Sequence, residues 1–198
     1  MKLKYILLIF TLIAAVFSYI GAAEPFTWWL EALTVFLGIL VLAVFRKFEF
    51  TNFVYSIIFI HFLILLLGAH YTYAKVPGFE WMNGIFGGER NNYDKIGHFI
   101  QGFLPALIAR EILVSKKIIN GKVWLFFIVI CIVLAISAFY ELIEWWVSLL
   151  SGESGDSFLG TQGYIWDTQT DIFMALVGGL VALIFFSKIH DRLIIQKK

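Results

Sequence analysis

Cysteine occurs once in these 198 residues and proline three times, and charged residues make up only 15% of the chain. The lone thiol, Cys131, stands in an apolar run, which excludes an intrachain disulfide framework and a thiolate metal site. Charge at 15% lies far below the roughly 25% of a soluble domain, while 61% hydrophobic residues lie far above its roughly 45–50%. The same numbers exclude a disordered chain. Fifteen basic and fourteen acidic residues nearly cancel, so nothing in the charge balance points to nucleic acid. Also missing are a His-Glu-x-x-His zinc signature, a phosphate-binding loop, a nucleophile signature, an internal repeat and a low-complexity tract.

What is present is a series of apolar runs. A bilayer core is crossed by about 20 mostly apolar residues. Six stretches qualify: 5–22, 28–45, 53–72, 95–114, 123–150 and 167–187. The fold expected is all-α, a polytopic membrane helix bundle of six transmembrane helices forming a single membrane domain over residues 1–198. The first stretch has features of a signal peptide, with Lys2 and Lys4 before an apolar run that ends Gly21-Ala22-Ala23. That run exceeds the ~7–15 residues of a signal-peptide core, so it reads as a retained helix.

Basic residues set the orientation. Lys2, Lys4, Arg46, Lys47, Arg110, Lys116, Lys117, Lys122, Lys188, Arg192, Lys197 and Lys198 fall on one side of the alternating spans, and only Lys75, Arg90 and Lys95 on the other. Every loop obeys the alternation, which predicts N-in/C-in topology. Trp28, Trp29, Trp81, Trp145, Trp146 and Trp166 collect near the outer boundary, where indole rings favour the headgroup level, and Trp124 near the inner one. Two substantial outer loops result, 73–93 and 151–166. The second is rich in glycine and small polar residues, a composition that suits either a loop folded over a site or a plain connector.

The chemistry lies in polar groups placed where lipid disfavours them. Span four opens Asp94-Lys95-Ile96-Gly97-His98, span five carries Tyr140-Glu141-Leu142-Ile143-Glu144, and span six opens Asp167-Thr168-Gln169-Thr170-Asp171. Asp94 with His98, Glu141 with Glu144, and Asp167 with Asp171 are spaced i,i+4 or i,i+3, so each pair shares a helix face. At ~1.5 Å per residue, His98 and Asp171 lie ~6 Å below their helix starts, and Glu141 lies ~4.5 Å deeper than Glu144. All six therefore fall in one outer-leaflet layer, and antiparallel neighbouring helices would converge them on one cavity.

Two carboxylates ~5 Å apart repel by ~3 kcal/mol at an effective dielectric of ~20. Five of them, faced by His98 and Lys95, must bind a cation, share protons or recruit basic groups. Oxygen ligands with one imidazole suit a divalent metal ion such as Mg²⁺, Mn²⁺, Fe²⁺ or Zn²⁺. The expected metal set is Asp94, His98, Glu141, Glu144, Asp167 and Asp171, with Glu141, Glu144 and His98 as the catalytic residues of an enzyme built on it. Plainer readings stand beside this one. Asp94 and Asp167 sit at helix N-termini, where a carboxylate is a natural cap. His61, near the middle of span three, reads first as a hydrogen-bonded core residue and second as part of a proton route. His70, Tyr71, Tyr73 and Glu31 are further wall residues, and Arg110 and Glu111 at the inner boundary are snorkelling or paired. Ala175, Gly178, Gly179 and Ala182 form a small-residue stripe for close helix packing.

At these residues the chain resembles a known family. Tyr93-Asp94-Lys95-Ile96-Gly97-His98-Phe99-Ile100-Gln101-Gly102-Phe103, Ser137-Ala138-Phe139-Tyr140-Glu141-Leu142-Ile143-Glu144-Trp145, Phe158-Leu159-Gly160-Thr161-Gln162-Gly163 and Trp166-Asp167-Thr168-Gln169 resemble the YjdF family, bacterial inner-membrane proteins of unknown function (DUF2238-type). The resemblance covers most of the chain and implies an inner-membrane location, without an established activity. A more distant resemblance is to VanZ-like proteins, linked to glycopeptide resistance. Asp94, Lys95, His98, Phe99, Glu141, Glu144, Asp171 and Gly178 match their pattern, and Ala175 departs from it where an asparagine is expected.

Three functional classes follow. The first is an outward-opening metal site acting by metal-assisted hydrolysis or transfer on a lipid-linked or cell-envelope substrate. The second is a cation- or proton-coupled transporter, against which stand the lack of an inverted repeat and of a line of acids continuing inward. The third is a non-catalytic envelope scaffold whose acids are hydrogen-bonded structure. The lipid bilayer is the one partner the sequence specifies, and it leaves the oligomeric state open.

Overall fold

The computed structural model of the chain describes residues 2–82, 91–151 and 165–197. Six long helices account for most of them: α1 (Leu3–Tyr19), α2 (Pro25–Val44), α3 (Asn52–Tyr71), α4 (Tyr93–Ser115), α5 (Lys122–Ser151) and α6 (Asp167–Lys197). Short 3₁₀ turns at Tyr73–Lys75 and Glu80–Met82 follow α3. No strand occurs among the described residues. Most of the 151–166 loop, with its Phe158–Gly163 motif, lies outside them, as does Arg90.

These helices make the chain an all-α polytopic membrane protein. By length and composition α2, α3, α6 and most of α5 (Lys122–Val147) can each cross a bilayer. The apolar α1 is shorter, at 17 residues. At 23 residues α4 is long enough, but it carries Asp94, Lys95, His98, Gln101, Arg110 and Glu111. Each predicted span matches one helix to within about three residues at each end, with one exception. The α6 helix continues to Lys197, well past the expected end at 187, because His190 and Ile194 continue its buried face.

The chain divides into two compact units, Met1–Gly97 and His98–Lys198. In the first, α3 packs against both α1 and α2. Its buried Val54, Ile58, Phe62, Leu65, Leu66 and Ala69 recur at three- and four-residue steps, one continuous helical stripe. Thr51 caps its N-terminus by accepting the Val54 N–H at 3.3 Å. The outer ends of the three helices are tied together through Ser18. Its hydroxyl donates to the Leu66 carbonyl at 2.6 Å and accepts the Trp28 indole N–H at 2.9 Å, while His70 Nδ1 donates to the Ser18 carbonyl at 2.8 Å. Trp28 is thus buried, unlike the exposed Trp29 and Trp81. Of the wall residues expected of span three, His70 bonds Ser18 and stands edge-on to Tyr71, and Tyr73 packs against Gly68 and the Tyr93 ring.

Ion pairs close both ends of this unit. At the outer end Lys75 donates to Glu24 at 2.6 Å, and Glu24 also accepts from Thr27, which together lower its pKa. At the inner end Glu49 takes hydrogen bonds from Lys2 and Lys4, at 2.8 and 2.9 Å, and is held at about 2 instead of 4.5. A depressed carboxylate stabilises the fold fully above its unfolded pKa and loses that contribution as pH falls through the folded one. Glu49→Gln should therefore lower the melting temperature slightly at pH 7. The gap between variant and parent should narrow from pH 4.5 downward and close near pH 2; a gap independent of pH would contradict the pairing.

In the second unit α6 packs along α5, with Val133 against Gly179, and crosses α4 backbone to backbone. The α4–α6 crossing needs glycine on both sides. A methyl group on Gly102 would fall on the Ala175 carbonyl, and one on Gly178 would fall on the Phe99 carbonyl. Ala175 is fully buried at this crossing. The inner end of the unit is held by charges: Arg110 pairs with Asp191 at 2.6 Å, and the fully buried Glu111 accepts from His190 at 3.0 Å and Lys197 at 2.9 Å.

Candidate metal centre

The crossing of α4 and α6 fixes the depth at which their polar residues face the interior of the second unit. His98 lies one turn outward of Gly102, and Asp171 one turn outward of Ala175, so the tight contact below sets their separation. From α5, Glu141 reaches the same level. His98 Nδ1 lies 3.7 Å from Glu141 Oε1, and His98 Nε2 lies 3.7 Å from Asp171 Oδ1. One ligand atom from each of the three residues falls within 4.8 Å of the others, and all three are buried, at 6%, 8% and 3% exposure. The Tyr140 ring meets the imidazole edge-on, with centroids 5.9 Å apart.

Those two gaps exceed a hydrogen bond. Because they involve opposite nitrogens of one ring, an ion shared by the trio would be held through a single imidazole nitrogen. Bonds of ~2.1 Å in tetrahedral or octahedral geometry hold neighbouring ligand atoms ~3.0–3.5 Å apart. A carboxylate oxygen 3.7 Å from the ligating nitrogen lies within a few tenths of an ångström of that range, and the second carboxylate lies within 4.8 Å.

Below the trio lies a second polar layer. Ser137, one turn inward of Glu141, is 1% exposed, and its hydroxyl has no hydrogen-bond partner among the described residues. The same is true of the Gln101 amide nitrogen, three residues beyond His98. Pro105, inside α4, has no N–H for the Gln101 carbonyl, so that carbonyl lacks its helical donor. In sequence this layer stands at i−4 from Glu141 and i+3 from His98, as uncharged residues that carry no electrostatic signature of their own.

Of the remaining expected ligands, Asp167 offers a ligand oxygen within 4.8 Å of one on Asp171. Asp94, buried in the first turn of α4, belongs to the first unit, where its carboxylate accepts the Lys95 N–H at 2.8 Å and stands 3.5 Å from the Lys95 ammonium. Asp167 is the first residue of α6, half-buried, with its carbonyl accepting from Thr170. Glu144 is half-buried, one turn outward of Glu141.

Fold and site together define a polytopic membrane protein with a buried carboxylate–imidazole centre within its C-terminal half. Residues 3–192 match the family described as "Predicted membrane protein (DUF2238)". The chain is also 49% identical over 179 residues to the inner membrane protein YjdF of Escherichia coli (strain K12), covering 89% of this chain and 85% of that relative. The chain belongs to the YjdF (DUF2238) family of multi-pass inner-membrane proteins. No solved structure matches it.

Proposed function

We propose that His98, Glu141 and Asp171 bind a divalent metal ion on the extracytoplasmic side of the membrane, and that the loaded site acts on a lipid-linked or cell-envelope substrate. The observation that carries this reading is the convergence of one imidazole and two carboxylates, all buried, from three different helices within 4.8 Å. Buried acids within membrane spans are costly and are kept where they do chemistry or bind ions. The donor set suits Mg²⁺, Mn²⁺, Fe²⁺ or Zn²⁺. Such an ion would supply Lewis-acid polarisation of a phosphoryl or acyl oxygen. Ser137 and Gln101 provide neutral polar groups on the inward side, and Glu144 a further carboxylate on the outward side.

Elemental analysis of detergent-purified protein tests the binding step. The parent should carry about one metal ion per chain after incubation with Mg²⁺, Mn²⁺, Zn²⁺ or Fe²⁺ and removal of excess. The double variant Glu141→Gln/Asp171→Asn, folded to the same extent, should carry none. Glu144→Gln should retain most of the metal. Metal content unchanged by the double variant would reject the site.

A further inference from the structure

A cavity lies in the first unit, between the inner halves of α1, α2 and α3, and no part of the metal reading uses it. It encloses about 290 Å³, near the small end of ligand pockets. Its mouth is formed by Lys4, Arg46 and Tyr55, and it reaches inward to Thr11, Ile39 and Phe62. Each of these pairs along a helix is seven residues apart, so the cavity runs ~10 Å into the bilayer, most of the depth of one leaflet's hydrocarbon. The deep end is apolar in effect, because the Thr11 hydroxyl is already spent on the Leu7 carbonyl at 2.9 Å. The mouth is basic. Lys2 and Lys4 share Glu49, Lys47 follows Arg46, and the exposed Arg46 has no acidic partner among the described residues.

We propose that this cavity is a binding site for an anionic phospholipid of the cytoplasmic leaflet, with one acyl chain inside and the phosphate held at Arg46 and Lys4. Size excludes a protein helix, which at ~10–12 Å across does not enter a cavity of 290 Å³. Depth and polarity fit a chain whose charged head stays at the membrane surface. The charge asymmetry of the sequence puts this mouth on the cytoplasmic side, where basic pockets between helices recognise anionic headgroups. Arg46 offers the phosphate a planar pair of donors, which a lysine cannot.

Delipidated protein in neutral detergent, titrated with dioleoylphosphatidylglycerol or dioleoylphosphatidylcholine and followed by native mass spectrometry, tests this. Phosphatidylglycerol should bind about fivefold more tightly than phosphatidylcholine, the preference one basic group supplies at a membrane surface. Arg46→Gln should remove that preference while leaving phosphatidylcholine binding unchanged. Ala43→Trp, which fills the cavity wall, should weaken both lipids. Equal affinity for the two lipids in the parent would overturn the proposal, as would a preference that survives Arg46→Gln. Glycerol 3-phosphate displacing phosphatidylglycerol at equal concentration would also overturn it, by showing a headgroup site without the acyl chain.

Discussion

Gly178→Ala and Gly102→Ala should each destabilise the second unit by more than ~4 kcal/mol, the range reserved for exceptional point mutations. An added methyl in a packed interior ordinarily costs ~1–3 kcal/mol, because neighbouring side chains yield. Here the obstacle is backbone: the new carbon falls on the Phe99 carbonyl in one case and the Ala175 carbonyl in the other. Neither can rotate aside, so the helices must separate, and with them His98 and Asp171. Gly97→Ala is the matched control on the same helix. A methyl there meets Tyr73 at 3.5 Å, ordinary contact distance, and alanine is the better helix former by ~1 kcal/mol. Thermal unfolding in detergent should show a large loss for the two crossing glycines and none, or a small gain, for Gly97. Tolerance of alanine at both 102 and 178 would mean that the crossing is looser than described.

Glu111→Ala should be the most damaging change at the inner end, by about 1–3 kcal/mol, the cost of leaving a buried hydrogen-bonding group without its partner. Glu111 is fully buried and takes hydrogen bonds from His190 and Lys197, and His190 is itself 0% exposed. Without the carboxylate the imidazole is left in an apolar, water-poor setting. Lys197→Ala should cost much less, within about 1 kcal/mol, since that side chain is 29% exposed. Melting temperatures of the two variants separate a buried network from a surface one. Equal small losses would show that the cluster is solvated.

The sequence made the helices legible but not their facing. Six apolar runs of bilayer length are enough to place six helices, since hydropathy needs no knowledge of neighbours. Periodicity was weaker on direction. Ser137, Glu141 and Glu144 all lie within a narrow sector of α5, and spacing cannot choose between the two carboxylates; only the approach of α4 and α6 puts Glu141 beside His98 and Asp171. Trp28 shows the same limit. It shares its neighbourhood with Trp29, yet Ser18 on another helix draws it inward. Arg110 and Glu111 were expected to be snorkelling or paired, but their partners His190, Asp191 and Lys197 lie on or beyond the hydropathy edge of span six. A helix that outlasts its apolar run for the sake of three ionic contacts gives no hydropathy signal. The glycine crossing was half visible: the 175–182 stripe announced close packing, while its partner Gly102 was one glycine among sixteen.

The measurement that bears most directly on the site is an anomalous difference map from crystals of the protein grown with Mn²⁺, recorded above the manganese absorption edge. A single strong peak is expected within bonding distance, ~2.1–2.3 Å, of His98 and at least one oxygen each of Glu141 and Asp171, and none at that position in Asp171→Asn crystals. A map with no peak at those residues, or a peak that persists in Asp171→Asn, would contradict the metal reading and leave the three side chains as a purely structural cluster.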